Sequence, residues 1–343
     1  MTQPRAAIAG TGLIGASIGL GLLHAGWQVV GWDPDGGVLA DAHAVGAVSD
    51  LAGDLDELVG LRPELLILAG PIEGVVAALE QLETDILTID VAGVKRPVVA
   101  AAAHLSRFVG THPMAGREVS GPRAASLGLF RGAAWVVATD NADSRDLERV
   151  GGVIESLGAR PVRMTAAEHD AAVARISHLP QVLAGALLAT VADDPHALSL
   201  ASGSFRDLTR VAASDPAPWV GLLSANRAEV LAATASLQRA LGVVADELVG
   251  DERDRLRASL SEARERRRSL APPVVAVSVA LADRPGELAK VGRSLEVSAV
   301  DVRDLQLRHA PYGGGGVLTL AVRPGDAEAL RAALQQEGLI VAD

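Results

Sequence analysis

The sequence predicts an α/β protein in three parts. These are a Rossmann-type parallel sheet domain over residues 1–165, an all-helical domain over 166–270, and a small βαββαβ domain over 274–343. Three observations predict it. Short apolar runs alternate with helical patterns through the first part, as parallel strands joined by crossover helices require. The strand signal then gives way to Ala- and Leu-rich helical periodicity. Past the stiff linker Ala271-Pro272-Pro273 the strands return in a different order.

In the first part the expected strands are Arg5 to Ala9, Gln28 to Trp32, Leu65 to Ala69, Ile86 to Asp90, Phe108 to Gly110, Ala134 to Ala138 and Arg160 to Met164. Helices such as Leu13 to Ala25, Gly74 to Leu82 and Val94 to Ala103 lie between them. The segment Gly10-Thr11-Gly12-Leu13-Ile14-Gly15 is a GxGxxG that follows an apolar strand and opens a helix. The first Gly permits a tight turn, the second lets backbone approach a pyrophosphate, and the third lets helix pack closely on strand. Asp33 follows the next strand, 21 residues after Gly12, where a carboxylate accepts both ribose hydroxyls of NAD and repels a 2′-phosphate. Pro34, Asp35 and Gly36 supply no cation for such a phosphate. Gly70 and Pro71 end a later strand, in a loop that borders the nicotinamide in folds of this kind or is simply a turn.

In the second part Val230, Leu237, Leu241, Val244 and Leu248 recur near a 3.6-residue spacing, interrupted by Thr234. Such a stripe suits packing against a symmetry mate, and a homodimer is expected. In the third part the strands are Val274 to Leu281, Asp301 to His309, Gly316 to Val322 and Leu339 to Ala342. Its helices are Gly286 to Glu296 and Asp326 to Glu337, and Gly313 to Gly316 is a flexible turn.

Composition narrows the function. A net charge of −11 argues against nucleic acid or anionic membrane as partner. The chain has no cysteine, which excludes disulfides, thiolate zinc sites and cysteine nucleophiles, fits a reducing cytoplasm, and leaves no metal expected. The first apolar stretch reads as strand and helix, not as a signal peptide. No apolar run reads as long and Gly-poor enough for a membrane span. The partner left is a small molecule.

Three further segments offer chemistry: Asp90-Val91-Ala92-Gly93-Val94-Lys95, Gly110-Thr111-His112-Pro113-Met114-Ala115-Gly116-Arg117-Glu118, and Ser177-His178-Leu179-Pro180-Gln181 followed by Ser204 to Ala212. His112 follows a strand at the sheet edge where open α/β sheets bind ligands, and neutral imidazole there accepts a hydroxyl proton during hydride removal. A structural His-Pro turn is the competing reading. Arg206 and Arg210, one helical turn apart, suit carboxylates, or else an exposed face. His178 is a pocket residue or a buried, satisfied histidine.

Together, GTGLIGAS, DVAGVK, GTHPMAGRE, SHLPQ and FRDLTRVAASDP, in this order, resemble the prephenate/arogenate dehydrogenase family from Ala6 to about Asn226. The tail from Val274, with Asp283-Arg284-Pro285-Gly286-Glu287-Leu288, resembles an ACT domain. The resemblance implies an NAD-dependent oxidative decarboxylation of prephenate to 4-hydroxyphenylpyruvate in tyrosine biosynthesis, with arogenate or 4-amino-4-deoxyprephenate as alternative substrates. It implies that His112 is the catalytic acceptor of the C4 hydroxyl hydrogen and that Arg210 binds substrate carboxylate, with Arg206 the next candidate. Ser177, His178 and Gln181 line the pocket. From the tail it implies an amino-acid effector, tyrosine foremost, at Asp283, Gly286 and Leu288, or a module that only assists assembly.

Two positions depart from the family pattern. Gly93 stands where serine is usual, which removes an orienting partner of His112; it slows the reaction, admits a water, or marks a different C4 substituent. Gln181 stands where histidine is frequent, and a neutral amide favours prephenate over an ammonium-bearing substrate. A β-hydroxyacid dehydrogenase would need a lysine between Thr165 and Ser177, and none is there. An NAD-binding, amino-acid-responsive regulator without turnover would leave the His112 and Arg210 motifs unexplained.

Overall fold

The structure, a computed structural model, describes residues 3–116, 119–250, 252–270, 274–309 and 315–342. Arg117, Glu118, the linker at 271–273, and Gly313 and Gly314 of the expected turn lie outside the described residues. The chain forms two compact units, 1–239 and 240–343.

The first unit opens with β1 (Arg5–Ala9), α1 (Leu13–His24), β2 (Gln28–Trp32), α2 (Gly36–Ala44), β3 (Asp50–Leu51), α3 (Leu55–Gly60), β4 (Leu65–Leu68), α4 (Ile72–Gln81), β5 (Thr88–Asp90), α5 (Arg96–Ala101) and β6 (Phe108–Val109). The six strands form one sheet in the order β3-β2-β1-β4-β5-β6, all parallel. Both faces are covered, so the central strands are apolar throughout: Ala6 to Ile8 in β1 and Leu65 to Leu68 in β4 are buried. The order reverses between β1 and β4, and their C-terminal ends open a crevice there.

The sheet does not continue as the sequence suggested. The expected strand Phe108 to Gly110 stops at Val109, and β7 (Thr111–Pro113) joins β8 (Ala134–Ala138) and β9 (Arg160–Met164), with α6 (Ser144–Ser156) between the last two. These make a separate sheet, antiparallel between β7 and β8 and parallel between β8 and β9. The cause is local. The Thr111 N–H donates to Asp90 Oδ1 at 3.0 Å, and its carbonyl accepts from Lys95 Nζ at 2.7 Å. Side chains have taken the bonds a parallel neighbour would have made.

Helices follow: α7 (Ala166–Val173), a π turn (Ala174–His178), α8 (Leu179–Ala189), α9 (Pro195–Ser199), α10 (Gly203–Thr209), a 3₁₀ turn (Arg210–Ala213), α11 (Pro216–Ala225) and α12 (Arg227–Val249), the last crossing into the second unit. A capping box starts α7: Thr165 Oγ1 accepts from Glu168 N at 3.2 Å, and the Glu168 carboxylate accepts from Thr165 N at 2.8 Å. Contrary to the sequence reading, residues Ala166–Ala189 form a helix of 24 residues, with mean hydropathy 1.3 over an 18-residue stretch, long and apolar enough to span a membrane. Its His169 and Asp170 bond to residues of the sheet region, while only 22% of that apolar stretch is buried within the chain. The stripe on α12 is open, with Leu241, Val244 and Leu248 exposed.

The second unit contains α13 (Arg253–Ser269), then β10 (Val275–Leu281), α14 (Glu287–Ser298), β11 (Val302–His309), β12 (Gly316–Val322), α15 (Ala327–Gln336) and β13 (Ile340–Ala342). This is the expected βαββαβ pattern, with an antiparallel sheet in the order β11-β12-β10-β13. Alternate residues Val277, Val279 and Leu281 face a core shared with Leu318, Leu320, Leu330 and Leu334.

Candidate active site

The glycine turn sits at the reversal of strand order. Gly10 has φ +96°, and a Cβ there would lie 2.6 Å from the Ala69 carbonyl carbon, so both the conformation and the space require glycine. A Cβ on Gly15 would lie 1.9 Å from Gly10 O; the third glycine lets α1 close on the turn. Beside Gly12 nothing stands within 4 Å, which leaves its backbone open to a ligand. Leu13 and Ile14 begin α1, and Ile14 packs on the sheet core. Asp33 follows β2 directly and is tied to the turn: its Oδ2 accepts from Thr11 N at 2.7 Å and its Oδ1 from Asp35 N at 3.0 Å.

Around these residues is a cavity of about 490 Å³, whose lining includes Gly10, Gly12, Asp33, Gly70 and Pro71. Ser120 and Gly121, from the loop that follows His112, close another side. Among the described residues no Arg or Lys lines it. An anchored carboxylate, a glycine cradle and a helix N-terminus fit a dinucleotide with free ribose hydroxyls.

His112 lies on β7, opposite Val136. Its strand is held by a fully buried pair, Asp90 and Lys95, in direct ionic contact. Asp90 also accepts from Ala92 N at 2.8 Å and Thr111 N at 3.0 Å. Trp135 Nε1 donates to Thr111 Oγ1 at 3.0 Å. Burial raises the Asp90 carboxyl and lowers the Lys95 ammonium, each opposed by the attraction of the other. The DVAGVK segment is therefore a clamp that places the residue before His112.

The half-buried His112 puts its Nδ1 2.9 Å from His169 Nε2, and His169 Nδ1 lies 2.7 Å from Asp170 Oδ1. Burial, then the neighbouring His169, Lys95 and His178, push the His112 imidazole well below its usual range. Neutral imidazole is the form that accepts a proton. Gly93 faces the same ring, 3.8 Å from His112 Cε1 to the position of a Cβ. That same position is 2.8 Å from Leu222 Cδ2. A leucine methyl thus occupies the position of the missing Cβ.

The π turn between α7 and α8 carries Ser177 and ends at His178. His178 is buried; its Nδ1 is 3.2 Å from Asn226 Nδ2, which also donates to the Asp170 carbonyl at 2.8 Å. The amide is the donor to Nδ1, so neutral His178 carries its hydrogen on Nε2. Burial lowers its pKa first of all, with Asp170 opposing. Gln181, one turn on, donates from Nε2 to Ser214 Oγ at 3.2 Å, and Trp219 Nε1 reaches the same oxygen at 3.0 Å. The Gln181 Oε1 is buried with no donor among the described residues. Arg206 lies in the last turn of α10 and Arg210 opens the 3₁₀ turn, both exposed.

Sequence reasoning missed His169, Asp170, Leu222 and Asn226. Only the adjacent Glu168-His169-Asp170 near a helix start hinted at them, and nothing in sequence links that site to His112, 57 residues earlier. In the second unit Asp283, Gly286 and Leu288 share the lining of a cavity of about 410 Å³ with Leu307 and His309. Gly286 has φ +93°, which favours glycine at the start of α14. The neighbouring Glu287 is buried and paired with Lys290 at 2.8 Å.

Comparison with known proteins agrees with this geometry. The model of the prephenate dehydrogenase nucleotide-binding domain matches residues 18–163, and that of the prephenate dehydrogenase dimerization domain matches residues 165–262. A probable prephenate dehydrogenase of Streptomyces niveus is 31% identical, over 95% of this chain and 96% of its own. An arogenate dehydrogenase structure from Synechocystis is 26% identical, covering 78% of this chain and 100% of that one, with TM-score 0.68. The fold is also that of Aquifex aeolicus prephenate dehydrogenase in complex with hydroxyphenyl propionate and NAD+, with TM-score 0.73 at 24% identity over 79% of this chain and 99% of that one. The chain belongs to the prephenate dehydrogenase family.

Proposed function

We propose that the protein oxidises and decarboxylates prephenate with NAD+, giving 4-hydroxyphenylpyruvate. The observation that carries this is a half-buried imidazole, its pKa lowered by burial and by His169, Lys95 and His178, on the strand whose following loop lines the dinucleotide cavity. The bound nicotinamide supplies the acceptor for the C4 hydride. His112 takes the hydrogen bond of the C4 hydroxyl and drains positive charge as that hydride departs. The bond from C1 to the ring carboxylate breaks, CO2 leaves, and its electron pair stays to complete the aromatic ring. The hydroxyl keeps its proton in the product, so His112 ends as it began. Arg210, by family position, binds a substrate carboxylate, with Arg206 beside it. Asp33 selects NAD over NADP, because a 2′-phosphate beside it is repelled and meets no basic lining residue.

A second reading, oxidation of the amino analogue arogenate, is favoured by the unpaired Gln181 Oε1. Ser214 donates its one hydroxyl hydrogen to the Val211 carbonyl at 2.7 Å and accepts from Gln181. The amide therefore offers an acceptor, which suits an ammonium better than a keto oxygen. Reduced-nucleotide formation with prephenate, arogenate and 4-amino-4-deoxyprephenate, each with NAD and NADP, tests both readings. Prephenate with NAD is expected to give the highest kcat/KM, and His112→Asn to lower that kcat about 10²–10⁴-fold with a smaller effect on KM. Equal rates with both nucleotides would refute the role of Asp33.

Two further assignments belong to this reading. The exposed Leu241, Val244 and Leu248 stripe packs on a second copy of the chain, in line with the dimerization-domain match. The cavity at Asp283, Gly286 and Leu288 takes an amino acid, tyrosine foremost, as in an ACT domain.

A further inference from the structure

We propose that His169, held by Asp170, is a positioning residue that fixes the tautomer of His112 and replaces the orienting partner lost at Gly93. This deepens the proposed function and rests on His112 Nε2 as the atom that accepts the substrate hydroxyl.

The argument is hydrogen accounting. Asp170 Oδ1 is an acceptor for His169 Nδ1 at 2.7 Å, so the Nδ1 carries the hydrogen. Asp170 is itself fixed, with Oδ1 accepting from Lys95 N at 2.7 Å and Oδ2 from Arg96 N at 2.9 Å. Burial would raise its carboxyl, but the bonds from His169, Lys95 and Arg96 outweigh that and hold it below the usual range. Neutral His169 then has only a lone pair on Nε2, and the hydrogen in the 2.9 Å contact to His112 comes from His112 Nδ1. His112 is left with a lone pair on Nε2, the state that accepts from a hydroxyl.

The reverse arrangement needs His169 protonated on both nitrogens. His112 would then carry its hydrogen on Nε2 and lose the acceptor. The charged or titratable groups facing His112 are His169, Lys95 and His178, and all three lower its pKa. The side chains of His169 and Asp170 are each 1% exposed, so water does not compete for these bonds. Near His112 Cε1, Leu222 occupies the space of a residue-93 side chain, which leaves the polar orientation to His169.

The test is nitrogen-detected NMR of the His112 ring in the full-length protein, without substrate, together with kinetics. The wild type should show the Nδ1–H tautomer. His169→Phe removes the acceptor, so His112 should revert to the Nε2–H form that imidazole prefers in water, and kcat should fall about 10²-fold with KM changed less than about threefold. His169→Gln restores an acceptor and should keep Nδ1–H and recover most of kcat. An Nε2–H tautomer in the wild type overturns the proposal even if no variant folds. So does a tautomer change in His169→Phe without loss of kcat. Because the tautomer is read without substrate, failure of prephenate turnover would count against the proposed reaction and leave the ring assignment standing or falling by itself.

Discussion

The His112 site and the cavity of the second unit are built in opposite ways. Around His112 the polar groups are buried and joined: Asp90, Lys95, Thr111, His169, Asp170, His178 and Asn226 are all buried, and each has a named partner. The other cavity is lined by exposed groups, Asp283 and Leu288 among them, on a turn whose shape depends on Gly286. A buried polar network is stable only when every member is satisfied, and then it holds its geometry closely. An exposed turn costs little to build, but it must be ordered by whatever binds it. The first arrangement suits hydride chemistry, where a misplaced acceptor costs rate. The second suits a ligand that shifts a population of conformers.

If the network is as interdependent as this comparison holds, its weakest point is the Asp90–Lys95 pair, and breaking it should give the largest effect. Lys95→Met leaves a carboxylate buried without its counter-ion, which typically costs about 3–5 kcal/mol. The loss should depend on pH. In the variant the folded-state pKa of Asp90 lies above its unfolded value, so stability is retained at acid pH, where the carboxyl is protonated, and is lost as pH rises through the raised pKa. Denaturant unfolding at several pH values should show the gap from wild type widening toward neutrality. Asp90→Asn in the Lys95→Met background should recover part of it. A loss independent of pH would mean that the pair contributes only packing.

That network also marks the boundary of what the sequence discloses. The glycine turn, Asp33 and the order of strands and helices are local patterns, and they were legible because each residue's role is set by its neighbours in the chain. The clamp was legible only as a motif: DVAGVK pointed to the site, but Thr111, which Lys95 and Asp90 grip, lies 16 and 21 residues on. His169 and Asp170 were not legible as partners of His112, because helix periodicity places residues on a face without saying what that face meets. Gly93 was read as a loss; the compensating Leu222 enters from α11, far along the chain. The break between Val109 and Thr111 was missed for the same reason, since a side chain took over a backbone bond.

Gly93 gives a smaller test of the same comparison, at the network's apolar side. A serine there must displace Leu222, whose Cδ2 lies 2.8 Å from the added Cβ, although a terminal methyl yields more readily than backbone. Overpacking of this kind costs about 1–3 kcal/mol. Gly93→Ser should therefore lower Tm, and Leu222→Ala in the same chain should relieve it, a non-additive pair in a double-mutant cycle. If the serine hydroxyl also orients His112, the double variant will turn over prephenate faster than Leu222→Ala alone. Additive effects on stability would place Leu222 away from residue 93.

The smallest effect is expected in the second unit. Asp283 lies beside the cavity at an exposed position, and an ammonium held there is partly shared with water, so its removal weakens an effector without disturbing the fold. Rates at increasing tyrosine should show inhibition of the wild type, with the tyrosine-free rate of each variant as its own reference. Asp283→Ala should raise the half-inhibitory concentration about tenfold, the scale of one hydrogen bond to a charged group. Leu288→Ala, which removes apolar lining, should raise it less. Inhibition that competes with prephenate and is indifferent to both substitutions would move the tyrosine site to the His112 pocket. The second cavity would then have no part in control, and its open, exposed lining would be a feature of the turn alone.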